Sequence, residues 1–354
     1  MDNTLNSIMV NPIPSKTWNW LKMNESNVEF PSDVSALPEG SLTVKAFDNA
    51  SNDASACPDS SVFEDIENGV GEDVKKVLDA AGSEPAYITA GAGESLVKLD
   101  FDLDNKGRAG EVRFYVPAGC KMKAVMDYKS AKGSFALISA KAYVEEGASF
   151  ELIQIHRTDD DSVLLDNVGT ACEKDAGFKL TQAFVSGGRI YAGACCDLRG
   201  DRSAFDIRSG YRIYDDHELD INYIARHRGA KTDSNINVSG VLQNTAVKRF
   251  RGTIDFIYGS VAATGNEKED VLLLDEDVVN KTVPIILCEE EDVEGNHGAT
   301  IGRLSEDLEF YLQSRGLDKD SIYKLMSMSA LMSVCRSISD EETKEELLGY
   351  LSQE

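Results

Sequence analysis

From Ser95 to Cys288 apolar and polar residues alternate with a period of two, turn clusters break the pattern repeatedly, and no helix of convincing length interrupts it. Leu96, Val97, Leu99, Phe101 and Leu103 precede the turn DNKG, and Val112, Phe114 and Val116 precede PAG. The pattern continues through SFALISAKAYV, ASFELIQI, GFKLTQAFV, RIYAGACCDL, ELDINYIARH, NINVSGVLQN, FRGTIDFIYG, DVLLLD and TVPIILC. A long succession of short strands means a mainly β fold: a sandwich, a barrel or a coiled solenoid. Numerous strands, Asn/Asp/Gly turns at irregular spacing and the lack of a clean blade-like repeat favour the solenoid. A solenoid has open ends whose strand edges must be capped or paired, so helical segments are expected at both. The reading divides the chain into an N-terminal helical or mixed domain (1–92), a β core (93–300) and a C-terminal helical domain (301–354).

The flanks carry helical signals. Val70, Val74, Val77 and Leu78 recur at helical spacing before Gly82, and FDNASNDASACPDSS (47–61) reads as a polar surface loop. Trp18, Trp20, Leu21 and Met23 crowd near the N-terminus, where aromatic residues commonly tie a terminus to its own domain. Beyond the strands, Ser305 is an N-cap followed by acids, and Leu304, Leu308, Tyr311 and Leu312 form one apolar face ending at Gly316. Asp318 or Asp320 starts a second helix containing Ile322, Leu325, Met326, Met332 and Cys335. Ser339 with Glu342 forms a capping box for a third, burying Leu347, Leu348 and Leu351.

Composition narrows the function. With 42% apolar residues in 354 the chain can build a large core, and a formal net charge of -25 with no basic stripe argues against nucleic-acid binding. No apolar run reaches membrane-spanning length and no signal-peptide pattern opens the chain, so a cytoplasmic protein with no membrane role is expected. The seven cysteines form no CxxC pair. Cys195 and Cys196, adjacent on a strand, point to opposite faces and read as buried thiols.

No P-loop, dinucleotide fingerprint, nucleophile elbow or metal-spaced histidine pair is present. His156, His217 and His227 read as structural. The acidic runs Asp159-Asp160-Asp161, Asp215-Asp216 and Glu289 to Asp292 admit a carbohydrate-cleaving β-helix enzyme or a calcium site, but each falls at a strand end where turns gather acids. His297 differs by context. It sits between Asn296 and Gly298, after the last expected strand and just before the helices, and can serve as a metal ligand only if other ligands come from elsewhere.

The run VPIILCEEEDVEGNHGATIGRLSEDLEFYLQSRGL resembles the C-terminal signature of the SufB/SufD family of iron–sulfur cluster assembly proteins. The resemblance rests on His297-Gly298-Ala299-Thr300 and Phe310-Tyr311-Leu312-Gln313-Ser314-Arg315-Gly316. Weaker echoes are Val116-Pro117-Ala118-Gly119, Phe250-Arg251-Gly252, Leu272-Leu273-Leu274 and Ser15 to Leu21. The Gly-Ala-Thr after the histidine is closer to the SufD branch than to the SufB branch. Some relatives carry cysteine two residues before this histidine; Gly295 stands there here, and Cys288 upstream is assigned to the core.

The resemblance implies a right-handed parallel β-helix with helical domains at both ends, acting as a non-catalytic scaffold subunit. It implies a SufB-like partner, or a second copy in a homodimer, and a SufC-like ABC ATPase. No cofactor is expected to be held stably by the chain alone; a nascent iron–sulfur cluster would sit at the SufB interface, with His297 as its candidate ligand. The family's ATPase-binding segment corresponds to roughly 304–338, which makes Leu308, Tyr311, Leu312, Arg315, Ile322 and Met326 candidate contacts.

Overall fold

The computed structural model describes residues 5–17, 19–30, 41–52, 57, 59–103, 108–185 and 187–353. Trp18, the DNKG turn and part of the polar 47–61 stretch lie outside them. Strands make up 52% of the chain and coil into a solenoid of about eight turns. Successive strands go alternately to two nine-stranded sheets. The first sheet begins with Ser41–Asp48 and Glu94–Leu103 and ends with Ala263–Leu273 and Val293–Arg303. The second begins with Ala50–Ser51 and Ala86–Ala90 and ends with Val247–Phe256 and Val279–Cys288.

Pairing between turns is parallel and in register, as where Ser149 lies between Lys121 and Gly177. Turn length varies, however. Gly177 to Ala204 is 27 residues and Asp233 to Thr264 is 31, which hides the repeat from the sequence. The corners absorb the variation with left-handed residues such as Gly147 (φ 67°), Asp175 (φ 57°) and Arg202 (φ 59°), and their backbones bond from turn to turn, Gly147 N to Lys174 O and Asp175 N to Asp201 O.

Coiling stacks like residues on like along the axis. Phe150, Phe178 and Phe205 form a ladder with centroids 5.6 and 5.5 Å apart, inside a continuous buried column of aliphatic and aromatic side chains. A polar island interrupts that column. The Asp166 carboxylate accepts from Tyr128 Oη (3.1 Å), Gln154 Nε2 (2.9 Å) and Gln182 Nε2 (3.1 Å) and meets His156 Nε2 at 2.8 Å, all fully buried.

His227 is a second axial histidine, bonded to the hydroxyls of Thr232 (2.7 Å) and Ser234 (2.8 Å) and lying against Phe256. Burial pulls its imidazole down from 6.5 to about 4, so the folded chain resists a proton that the unfolded chain accepts. Stability from this residue is therefore present above pH 6.5 and is lost as pH falls from 6.5 towards 4, by up to about 3 kcal/mol. Urea unfolding of wild type and His227→Gln at pH 7 and pH 4 should show the wild type losing about that much more than the variant. Equal losses would dismiss the assignment.

The flanking segments differ from expectation. Residues 1–92 do not form a separate helical domain, because Ser41–Asp48, Ala50–Ser51 and Ala86–Ala90 are solenoid strands. The described remainder packs on the outer face of the second sheet: the antiparallel pair Ser7–Val10 and Ser26–Glu29 and the helix α1 (Asp73–Ala80) bury Ile8, Val10, Val28, Val74 and Val77 against Phe135, Leu137, Val163 and Leu165. Of the tryptophans Trp20 is 77% exposed and ties down nothing.

Helices α2 (Glu306–Ser314), α3 (Lys319–Cys335) and α4 (Glu341–Gln353) follow the solenoid. Rather than capping its end, α3 and α4 lie along the outer face of the first sheet, where Leu331, Val334, Cys335, Leu347 and Leu351 cover Val125, Ile153, Ile155 and Ala183. Ser305 and Asp318 cap α2 and α3, accepting from Leu308 N and Ser321 N. Asp340, not Ser339, caps α4: it accepts from Thr343 N (2.9 Å) and holds Lys98 at 2.6 Å, while Ser339 donates to Glu151. At the first end of the solenoid the strands Ser41–Asp48 and Ala50–Ser51 are added antiparallel as the terminal strands of the two sheets. Nothing among the described residues closes the last end. No helix among them is long and apolar enough to cross a membrane.

Candidate functional site

Four strands after Ser95 escape the runs read from the periodicity: Lys121–Ser130, Val163–Cys172, Ala204–Ile213 and, beyond the last run, Val293–Arg303. Val293–Arg303 continues the first sheet, so His297 is not in a linker but in the middle of an edge strand. Gly295, Gly298 and Gly302 and the polar composition hid it, because a strand exposed along its length carries no apolar alternation. With Val279–Cys288 it forms the last turn, and each has one unpaired backbone edge.

In-register pairing decides which way His297 points. It lies directly beyond Glu267, and Ala299 beyond Glu269. Both glutamates are buried on the solenoid axis, so His297 projects into the open mouth. Thr282, Pro284, Ile286 and Cys288 face the mouth from the second sheet by the same parity, since their partners Phe250, Gly252, Ile254 and Phe256 line the axis. His297 is exposed and has no hydrogen-bond partner among the described residues. Cys288, assigned to the core from its apolar run, is exposed at the corner, its thiol directed to Glu290 O at 3.0 Å.

The floor of the mouth is charged. Lys248, fully buried, pairs with Glu269 and donates to Thr282 Oγ1 at 3.0 Å, while Thr282 donates to the other Glu269 oxygen at 2.6 Å. Glu267 is left out of this triad. Burial foremost, then the neighbouring Glu269 carboxylate, pushes its carboxyl up to about 8 against the opposing pull of Lys248. Sequence reasoning passed over Glu267. The one available signal was that Glu267 and Glu269 keep the inward parity of Ile236 and Val238, a placement acids avoid without a reason.

Phe250-Arg251-Gly252 does three jobs at this end. Phe250 fills the axis, and Arg251 points outward into a buried ion pair with Asp220. Gly252 leaves room for Glu267: a Cβ there would fall 2.5 to 2.6 Å from both carboxylate oxygens.

The helical candidates separate into two layers. Leu308 (40% exposed), Tyr311 (51%) and Arg315 face solvent, the guanidinium lying 5.2 Å from the Tyr311 ring centroid. Leu312 and Met326 are half-buried, and Ile322 is fully buried with Val241, Leu274 and Tyr323; these three anchor α2 and α3 to the solenoid beneath the exposed layer. Phe310, 74% exposed on the same helix, was not among the candidates.

The remaining residues singled out from sequence are structural. His217 reaches Asp160 at 3.0 Å across Gly187, where a Cβ would strike its ring. The acidic runs occupy separate corners, and among the described residues no three His, Cys, Asp or Glu side chains converge on a metal position. Cys196 faces Cys172 inside the solenoid, sulfurs 3.9 Å apart, while Cys195 is buried on the opposite face of the strand.

Residues 102–329 match the family described as SUF system FeS cluster assembly, SufBD core domain, which takes in more than half of the chain. Among curated proteins, the chain is similar to the iron–sulfur cluster assembly protein SufD of Bacillus subtilis (strain 168), at 28% identity over 36% of this chain and 29% of that protein. It is also similar to the SufD of Escherichia coli (strain K12), at 22% over 49% and 41%. An iron–sulfur cluster assembly SufBD family protein of Mycobacterium leprae (strain TN) matches at 23% over 65% of this chain and 60% of its own length. The alignments thus span less than two thirds of each relative. A parallel two-sheet solenoid with a histidine at its open mouth, matched through its core by the family sequence profile, places this chain in the SufBD family of SUF iron–sulfur cluster assembly proteins.

Proposed function

We propose that this chain is a non-catalytic scaffold subunit that pairs through its last turn with a SufB-like paralogue, or with a second copy of itself, and through α2 and α3 with a SufC-like ABC ATPase. The nascent cluster is held where the two solenoid mouths meet, with His297 as this chain's ligand. The open mouth is the observation that carries the reading: two adjacent edge strands end the solenoid unpaired and uncovered, and an exposed histidine stands between them. Bare edges of this length are aggregation-prone unless another chain adds to them, and main-chain pairing is the usual means. The ATPase assignment is supported by Leu308, Phe310 and Tyr311, three large apolar side chains exposed on a helix that is anchored from below.

Co-expression with a SufB-like and a SufC-like protein tests this. A stable ternary complex is expected; an indifferent monomer recovered in their presence would count decisively against it. Tyr311→Ala with Phe310→Ala should weaken retention of the ATPase by roughly 30-fold or more, the loss expected when exposed aromatic anchors are truncated, and leave the paralogue bound. Simultaneous loss of both partners would point to misfolding and not to a docking surface.

A further inference from the structure

The scaffold reading gives this chain one ligand at the mouth, His297. The turn beneath it holds a second group with no structural task. Glu267 is His297's register partner, 5% exposed, and its Oε2 has no hydrogen-bond partner among the described residues. A buried carboxylate is normally paired or hydrogen-bonded, and the nearest cation is already taken: Lys248 is engaged by Glu269 and Thr282. The space Glu267 occupies is provided by Gly252, where any Cβ would displace the carboxyl from its present position. Side chains on adjacent parallel strands at one register position lie side by side on the same face, so the Glu267 carboxyl lies on the inward face one turn below His297.

We propose that Glu267 is a second ligand at the mouth, and that His297 and Glu267 together receive a ferrous ion whose other ligands come from the chain that closes the mouth. This rests on the scaffold reading for the identity of the closing chain. An imidazole nitrogen with a carboxylate oxygen suits a divalent first-row transition metal, whereas magnesium prefers oxygen donors and retained water. Two donors from this chain make an incomplete site, in keeping with the absence of three converging ligands among its described residues. The Lys248–Glu269–Thr282 triad serves as its backing: it engages the ammonium, so no direct ion pair competes with a metal for the Glu267 carboxyl.

The test is anaerobic equilibrium dialysis with Fe(II), on the full chain and on its complex with the two partners, for wild type, Glu267→Gln, Gly252→Ala and His297→Ala. Glu267→Gln is expected to lower Fe(II) affinity at least about tenfold with the melting temperature and complex recovery unchanged. Gly252→Ala should do the same by displacing the carboxylate while keeping both ligands, and a tenfold excess of Mg(II) should not compete. If Gly252→Ala fails to fold, Glu267→Gln alone decides. Fe(II) binding lost in His297→Ala yet intact in Glu267→Gln overturns the inference and leaves the scaffold reading standing. Failure to form any complex overturns the scaffold reading instead; dialysis of the full chain then decides the ligand, with Glu267-dependent binding keeping it and Glu267-independent or absent binding removing it.

Discussion

Replacing His297 by alanine is expected to abolish cluster assembly in cells while leaving the fold and the complex intact. The imidazole is exposed and has no hydrogen-bond partner among the described residues, so its removal opens no cavity and strands no polar group. The cost in stability should stay within about 0.5 kcal/mol, as for other surface changes away from packing or pairing sites. The backbone edge that would add to a partner strand is untouched, since pairing there uses main-chain groups. The chemical loss should be large, because no other imidazole among the described residues faces the mouth and Gly295 and Ala299 on the same strand offer no ligand. The measurement is rescue of a strain that depends on the SUF system, read beside melting temperature and co-purification. Unimpaired rescue by the variant would remove His297 from the site, and failed co-purification would assign it to the interface alone.

Asp220→Ala is expected to be the most destabilising single change at the N-terminal attachment. Asp220 is fully buried where the segment from Asn11 to Ser26 docks on the second sheet, accepting from Asn11 Nδ2 (2.7 Å), Ser26 Oγ (2.5 Å) and the Arg251 guanidinium. Arg251, also fully buried, donates through Nε to Met23 O at 2.7 Å. Removing the carboxylate leaves a guanidinium in the interior without its counter-charge, which costs about 3–5 kcal/mol. The double change Asp220→Leu with Arg251→Met should recover a large part of that, since an apolar pair of similar volume carries no desolvation penalty. Urea denaturation gives both numbers, and limited proteolysis should show the Asn11–Ser26 segment released first in the single variant. A loss below about 1 kcal/mol would mean that the ion pair is open to water and screened.

These two residues mark different degrees of legibility. Asp220 carries no signal in sequence and Arg251 stands out only within Phe250-Arg251-Gly252; they meet diagonally, because the turn there is 29 residues long and Arg251 lies two residues beyond Arg249, the register partner of Asp220. His297 stands out in sequence by its surroundings, but the strand that carries it is exposed throughout and leaves no periodic trace, so the sequence places it after the last strand instead of within one. Phe310 was passed over beside Tyr311 because a helical pattern shows which residues share a face, not whether that face meets the solenoid or the solvent. The caps at Ser305 and Asp318 were legible because capping is local chemistry. Asp340 replaced Ser339 because Lys98, distant in sequence, pairs with it.

The sequence by itself determined that Ser95 to Cys288 is a succession of short strands, though not Lys121–Ser130, Val163–Cys172 and Ala204–Ile213 within it, together with the structural roles of His156, His217 and His227, the opposed faces of Cys195 and Cys196, and the family, all of which follow from local spacing or residue identity. Tertiary structure alone decided that the flanking segments cover the two outer faces and leave the last end open, and that Glu267 lies under His297. Both depend on register between turns of 26 to 32 residues, and register is set by corner lengths and by packing across the axis. No local pattern records which corner absorbs the extra residues that set this register.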